Sequence, residues 1–532
     1  GQGLPPGTQL QATLDALAPF AGALHRAVRV LEHSELLDGV VLPLNDLIEM
    51  CSRLKDVLFQ LYWRGVRCSA RRRIRQLLEN LVDRDARRPF CPPQHWVVSL
   101  LSVAPLYNED NVEDDMAHSD LVPESHQAMV AVLLHAPFCV SFDERVRVLQ
   151  FELQRDKDSH PTRQYSAFGI GHTRMRIHRS CVFADAYDQL AQAPNDAWRA
   201  SFSVKLINEA GMEEAGIDGG GLFKEFLLLA VQEAFGADYA LFVETASRQL
   251  YPNPDAELIA DDYLQQLYFL GALLGKAIFE QILVELPLAS FFIGRLLGRA
   301  PVLDDLLSLD PEIHRNLMFV KHCDDASVLD LDFTVTHNAY GRSQVIELMP
   351  GGADVPVTNE NRYKYVHLMA YHLLSRRIRQ QTAAFEKGLH ILIKQRWLNM
   401  FAPNELQLLI AGDDGAIDVD DWQRHTTLMQ FGPAHECIKW FFEILREFTP
   451  AQQRAVLMFA TSCSRPPLLG FEYLQPPFTV ARQRAEPGST VDDDEYLPSA
   501  STCFNVIRIA TYSSKEILKS KLLQAISSKA GF

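Results

Sequence analysis

The nine cysteines of this 532-residue chain form no C-x-x-C pair and no dense cluster. That spacing argues against a zinc ribbon or a disulfide framework. Free thiols in a reducing compartment are expected instead, in the cytoplasm and also the nucleus. An excess of positive charge is missing too: Lys and Arg total 51 against 67 Asp and Glu, a formal charge of −16. Nucleic-acid binding depends on neutralising phosphates, so no nucleic-acid partner is expected. No apolar run is long enough to span a membrane. The longest, Met129 to Phe142, is broken by His135 and Pro137 and falls short of the roughly 20 residues a spanning helix needs. The opening GQGLPPGTQL has neither a basic flank nor an apolar core, which excludes a signal peptide. It also lacks an initial Met, as a partial or processed chain would. No internal repeat and no G-x-S-x-G motif is present.

What remains has ordinary globular composition, 47% hydrophobic and 22% charged, enough for buried cores. The length suggests about three to four domains. Charge is uneven: residues 1–100 hold thirteen Lys/Arg and ten Asp/Glu, a net of +3, so the rest carries −19.

Hydrophobic periodicity divides the chain. Leu10, Leu14, Leu17, Leu24, Val28 and Leu31, then Leu54, Val57, Leu58 and Leu61, recur at helical spacing. A proline-containing break at 88–93, a helix-like run from Trp96 to Val103 and an acidic stretch at 108–120 follow. Residues 1–130 therefore read as a helical extension. From 138 the texture is mixed. A strand at 174–180, helices at 222–235, 263–283 and 361–384, and strands at 333–335 and 345–348 are expected. Ala411-Gly412-Asp413-Asp414-Gly415 is short, polar and glycine-flanked, as suits a hinge. Beyond it, 416–532 reads as an α/β unit, with helices at 435–448, 450–462 and 515–526 and a strand at 504–509.

Several near-matches fail on chemistry. Gly271 to Ala277 has three residues between its glycines and no Ser/Thr after Lys276, unlike a phosphate-binding loop. Gly219-Gly220-Gly221 reads as a tight turn entering a helix. Phe59-Gln60 and Arg64-Gly65 open like a calmodulin-binding helix, but the last basic position falls on Ser69. Packing on the main body is the stronger reading there, with a calmodulin-like partner at 59–75 the weaker one. His367 and His372 are five apart, off the i, i+4 rule. No metal and no cofactor is expected.

One cysteine stands apart. Leu497-Pro498-Ser499-Ala500-Ser501-Thr502-Cys503-Phe504-Asn505 places a thiol on a loop at a strand entrance, open to a large substrate. A packing role is the common reading for such a residue. The surrounding residues, however, resemble the active-site signature of HECT-type E3 ubiquitin-protein ligases. Ala215 to Phe226 (AGIDGGGLFKEF), Tyr251-Pro252-Asn253-Pro254, Leu273 to Ala277, Pro356 to Arg362 and Thr461 to Pro467 match the family in its order over roughly 138–532. Within it, 84–93 and the final Ala530-Gly531-Phe532 resemble the subgroup named ubiquitin-protein ligase E3, types B and C.

The resemblance implies an α+β, bilobal fold: a mostly helical N-lobe (138–411), a hinge (412–415) and an α/β C-lobe (416–532). It implies E3 ligase activity, with Cys503 taking ubiquitin from an E2 enzyme as a thioester before a substrate lysine attacks. Ser501, Thr502, Phe504 and Asn505 would surround that centre. An apolar E2 groove would comprise Ile313, Leu317, Val320, Leu329, Leu331, Tyr365 and Met369. Phe532 would match a C-terminal phenylalanine that the family needs for transfer. The partners implied are ubiquitin-charged E2, ubiquitin and protein substrates. Thiol exchange is nearly energy-neutral, so positioning should outweigh acid–base machinery. Two other readings remain: an E2- or substrate-binding scaffold that no longer transfers, and a cysteine hydrolase, which would need a histidine base beside Cys503.

Overall fold

The computed structural model describes residues 7–98, 124–159, 173–214, 221–483 and 492–527. The N-terminal region is helical: α1 (Gly7–Val30), α2 (His33–Leu37), α3 (Leu44–Trp63) and α4 (Ser69–Arg87). Ala70, Ile74, Leu77, Leu78 and Leu81 bury one stripe of α4, and α1 packs along it through Leu14, Ala21, Leu24 and Val28. Amphipathic periodicity thus becomes a buried seam. Residues 59–75 are divided between the end of α3 and the start of α4. Arg64 ends α3 and Gly65 turns the chain at φ +64°, a left-handed conformation that suits glycine. Leu61 and Tyr62 face the core.

The extension shares one continuous hydrophobic core with the body, running from Leu14 to Ile410. Arg87 pairs with Asp305 at 2.8 Å, Arg299 with Asp83, and buried Lys321 with Glu32. Small sheets brace the body: β1 (Thr173–His178) beside parallel β2 (Phe202–Ile207), β3 (Phe242–Glu244) with β4 (Leu250–Pro252), and β5 (Thr334–Ala339) with β6 (Arg342–Glu347). The helices Tyr263–Phe279 and Arg379–Leu389 cross at contact distance. A Cβ on Gly271 would lie 2.0 Å from the Phe385 carbonyl oxygen, and one on Gly388 would lie 1.9 Å from that of Tyr268. Glycine is required here for close backbone approach. Lys276 is fully buried and donates to the Ala200 carbonyl at 2.9 Å and to Glu280 at 2.7 Å. Its role is structural.

A second core, from Ile417 to Leu522, belongs to the C-terminal unit. Its sheet has the order β7 (Thr427–Met429), β8 (Thr479–Arg482), β10 (Val506–Ile509), β9 (Ser499–Ser501). β10 is parallel to β8 and antiparallel to β9. Trp422, Phe441, Phe442 and Phe478 are fully buried there. The chain is α+β, as expected.

Several element boundaries differ from the sequence reading. The helix expected over 361–384 is Arg362–Tyr371, a π-turn at His372–Arg376, and then Arg379–Leu389. The helix expected over 263–283 stops at Phe279, where Glu280 caps it and Gln281 takes a positive φ. Trp96 lies in a turn, and Val97 and Val98 are not helical; the remainder of that run lies outside the described residues. The Trp96 indole instead donates to Asp85 at 2.8 Å. Among the described residues, no helix is long and apolar enough to cross a membrane.

Candidate active site

β9 and β10 pair with Ser501 opposite Val506, so residues 502–505 form the loop between them. Thr502–Phe504 makes one 3₁₀ turn that ends at Asn505 with φ 52°, ψ 41°. Asn is among the few non-glycine residues that adopt this left-handed conformation readily. The strand expected from Phe504 therefore begins at Val506. Asn505 is 2% exposed. Its side-chain amide donates to the Pro476 carbonyl at 2.6 Å, and its own carbonyl accepts from the Thr479 amide at 2.9 Å. Both bonds fix the loop to the segment entering β8. The backbone of Cys503 sits inside this turn; its side chain lies outside the described set. Ser501 and Thr502 are half-buried, and the Phe504 ring is exposed.

Two helices flank the loop. Pro450–Thr461 of the C-terminal unit and Gly221–Ala234 of the N-terminal body each bring Cα atoms within 8 Å of it. Lys224, on the second of these helices, donates to the Thr461 carbonyl. Ser464 donates to Glu285 through its amide at 3.1 Å and its hydroxyl at 2.6 Å. Polar contacts thus join the two bodies near the loop. The linker between them begins at Gly412, which has φ +77° and faces the Arg465 and Leu283 side chains. Arg465 pairs with Asp414 at 2.8 Å.

The other described thiols differ in setting. Cys51 and Cys139 are fully buried, and burial pushes each up to about 12. Burial also raises Cys463, whose sulfur lies 3.5 Å from the Arg465 carbonyl oxygen. The two histidines beyond residue 415 are committed elsewhere. His425 approaches Asp421 at 3.0 Å, and His435 caps the Glu436–Glu447 helix by accepting from the Cys437 amide. Upstream of the loop, Asp494 accepts from the Ser513 amide and hydroxyl, which hold its carboxyl below the usual range.

The seven expected E2-groove residues separate by burial. Leu317, Val320, Tyr365 and Met369 are all 5–8% exposed, and Tyr365 packs edge-on against Phe333. These four side chains are thus packed inward in the isolated chain. A helical i, i+4 stripe looks the same whether it faces a core or a partner. Ile313, Leu329 and Leu331 are half-buried. On the same elements Phe319 is 61% exposed and Tyr363 is 56% exposed, both unmarked in the sequence reading. Phe532 lies outside the described residues, as do Ala215 to Gly220 of the glycine-rich segment.

His178, Cys181 and Asp185 also come together, with donor atoms within 4.8 Å of one another. Asp185 accepts there from both the amide and the ring of His178, at 2.6 and 2.7 Å. That trio went unmarked because its i, i+3, i+7 spacing bridges a strand end and a helix start.

A family model for the HECT domain (ubiquitin-transferase) matches residues 228–532. The chain is 42% identical over 403 residues to E3 ubiquitin-protein ligase UPL6 of Arabidopsis thaliana, covering 75% of this chain and 39% of that protein. It is 34% identical over 554 residues to ubiquitin-protein ligase E3B of Homo sapiens, covering 98% and 51%. It is 30% identical over 559 residues to E3 ubiquitin-protein ligase HUL5 of Saccharomyces cerevisiae, covering 94% and 60%. The chain thus spans roughly half the length of these relatives. With a bilobal α+β fold and a family match over more than half its residues, the chain belongs to the HECT-domain family.

Proposed function

We propose that this chain is an E3 ubiquitin ligase working through a thioester on Cys503. The Cys503 thiolate attacks the carbonyl of the E2–ubiquitin thioester. A new C–S bond forms and the E2 thiolate leaves. A substrate lysine amine then attacks the Cys503 thioester, loses a proton, forms the amide and releases the Cys503 thiolate. One thioester replaces another in the first step, so little activation is needed. The requirement is placement.

The observation that carries this reading is the loop itself. Asn505 pins a 3₁₀ turn containing Cys503 between β9 and β10, against a helix of each lobe. The relatives' names as ubiquitin-protein ligases support it. Gly412 to Gly415 serves as the swivel that carries the loop from E2 to substrate. E2 docks on the subdomain bearing the Pro311–His322 and Arg362–Tyr371 helices. Ile313, Leu329, Leu331, Phe319 and Tyr363 supply its accessible apolar surface, over the packed Leu317, Val320, Tyr365 and Met369. Phe532 completes the transfer-competent C-lobe. A relay through free thiols suits a reducing compartment such as the cytoplasm.

The test is incubation with E1, a panel of E2 enzymes and ubiquitin, read on non-reducing gels. A reductant-sensitive adduct absent from Cys503→Ala supports the ligase. E2 binding without any adduct points to a scaffold, and cleavage of ubiquitin chains to a hydrolase; either overturns the proposal.

A further inference from the structure

The end of β1 and the start of the Val182–Leu190 helix bring three metal-type donors together at the surface. A ring nitrogen of His178, the Cys181 sulfur and a carboxylate oxygen of Asp185 lie within 4.8 Å of one another. Among the described residues, no other three His, Cys, Asp or Glu side chains come so close. The cluster is open to solvent: the His178 and Asp185 side chains are 51% and 22% exposed, and Cys181 is half-buried. Backbone hydrogen bonds set the spacing. The Cys181 amide donates to the His178 carbonyl at 3.2 Å, and the Asp185 amide to the Cys181 carbonyl at 3.0 Å. One carboxylate oxygen of Asp185, Oδ2, accepts from the His178 amide and from Nδ1 of its ring. The other, Oδ1, faces the Cys181 sulfur at 3.6 Å.

Tetrahedral zinc, with bonds of about 2.0–2.3 Å, separates its ligand atoms by about 3.3–3.8 Å. The distance from Oδ1 to the sulfur already falls in that range. The ring nitrogen, 2.7 Å from Oδ2, needs a shift of about 0.6 Å to reach it. Sulfur and imidazole donors select zinc over magnesium or calcium, which take oxygen ligands. The charged groups nearby leave room for a cation. Glu233 lies beside the helix start, accepting from the Phe183 amide at 3.0 Å and the Tyr239 hydroxyl at 3.1 Å. Arg179 is held by Glu214 and Glu225 at 2.6 and 2.8 Å. Arg176, on the same face of β1 as His178, stands 3.4 Å from Glu213, which also pairs with Lys205 at 2.7 Å.

We propose that His178, Cys181 and Asp185 bind a zinc ion, with water as the fourth ligand. His178 coordinates through Nδ1, and its ring proton moves to Nε2. Cys181 releases its proton to solvent and coordinates as the thiolate. Asp185 coordinates through Oδ1, while Oδ2 keeps the His178 amide and so holds the carboxylate in place. Thiolate and carboxylate together neutralise the dication. The ion clamps the end of β1 to the Val182–Leu190 helix. Through Phe183 and Glu233 that helix is tied to Gly221–Ala234, which flanks the loop holding Cys503. Zinc binding here is independent of any transfer through Cys503.

The test uses the full chain, stripped with a chelator and kept under a reductant that binds no metal. Titration calorimetry with Zn²⁺ should show saturable binding of one ion, and zinc should raise the melting temperature. One equivalent of Co²⁺ should give thiolate-to-cobalt charge-transfer absorption and the visible bands of a tetrahedral centre. Cys503→Ala should keep that spectrum, and Cys181→Ser should lose its charge-transfer band. His178→Gln and Asp185→Asn should each weaken Zn²⁺ binding by about tenfold or more. If Asp185→Asn loosens the helix start, His178→Gln, at an exposed side chain, still decides the matter. The proposal is overturned if Zn²⁺ does not saturate, if the charge-transfer band survives Cys181→Ser or disappears in Cys503→Ala, or if His178→Gln leaves the affinity unchanged.

Discussion

Asn505 holds the loop geometry through one side-chain hydrogen bond and one left-handed backbone conformation. Asn505→Ala removes the first and disfavours the second. It should cost about 2–3 kcal/mol and slow ubiquitin transfer from E2 while E2 binding persists. Denaturant midpoints and single-turnover transfer read the two effects separately. His372 offers a pH test. It is buried, and burial followed by Arg377 and Arg376 lowers its pKa from 6.5 to about 4. Between those values the unfolded chain takes up a proton that the folded chain refuses, so stability falls as pH drops through this window. The loss is at most about 3 kcal/mol. His372→Leu should flatten the dependence of urea midpoints between pH 6.5 and 4; an unchanged slope would exclude His372 as its source. At this scale the sequence singles out Cys503 as the candidate, because its neighbours form a recognisable run. It did not reveal the anchoring by Asn505, whose partner is Pro476 across the chain, or the burial of Leu317 and Met369.

At the scale of elements, the crossing of Tyr263–Phe279 and Arg379–Leu389 leaves no space for a side chain at Gly271 or Gly388. Gly388→Ala should cost about 3 kcal/mol or more, since the clash is with backbone rather than a movable side chain. Thermal unfolding measures it, and a melting temperature close to wild type would contradict the packing described. The linker has its own test. Proline at Gly412 conflicts with φ +77°, and proline at 412 and 415 together should slow E2-to-Cys503 transfer by about tenfold or more. Unchanged rates would remove the swivel. The helices over 221–234, 263–279, 436–447 and 450–461 were readable from periodicity, whereas Phe142–Asp158, Val182–Leu190 and Pro403–Ala411 were not. Helix ends were hidden too, because the π-turn at 372–376 and the stop at Glu280 depend on packing rather than on local pattern.

For the whole molecule, the extension is part of the N-lobe core and not a detached arm. Its closest polar tie to the Pro311–His322 helix is buried Lys321 with Glu32, backed by Glu35 at 3.5 Å. Glu32→Ala should cost about 3 kcal/mol at most, because Glu35 remains, and Glu32→Leu with Lys321→Met should restore most of it. A double-mutant cycle on unfolding free energies decides this. The uneven charge, +3 over residues 1–100 and −19 beyond, marked a difference between these regions but not their fusion into one core. The central claim is that ubiquitin passes through residue 503. It is tested most directly by trapping the relay with Cys503→Ser, which should hold ubiquitin as a reductant-resistant, alkali-labile ester. Peptide mass mapping should then place the Gly-Gly remnant on the peptide spanning position 503. A remnant on any of the other eight cysteines, or transfer to substrate that persists in Cys503→Ala, would contradict the account.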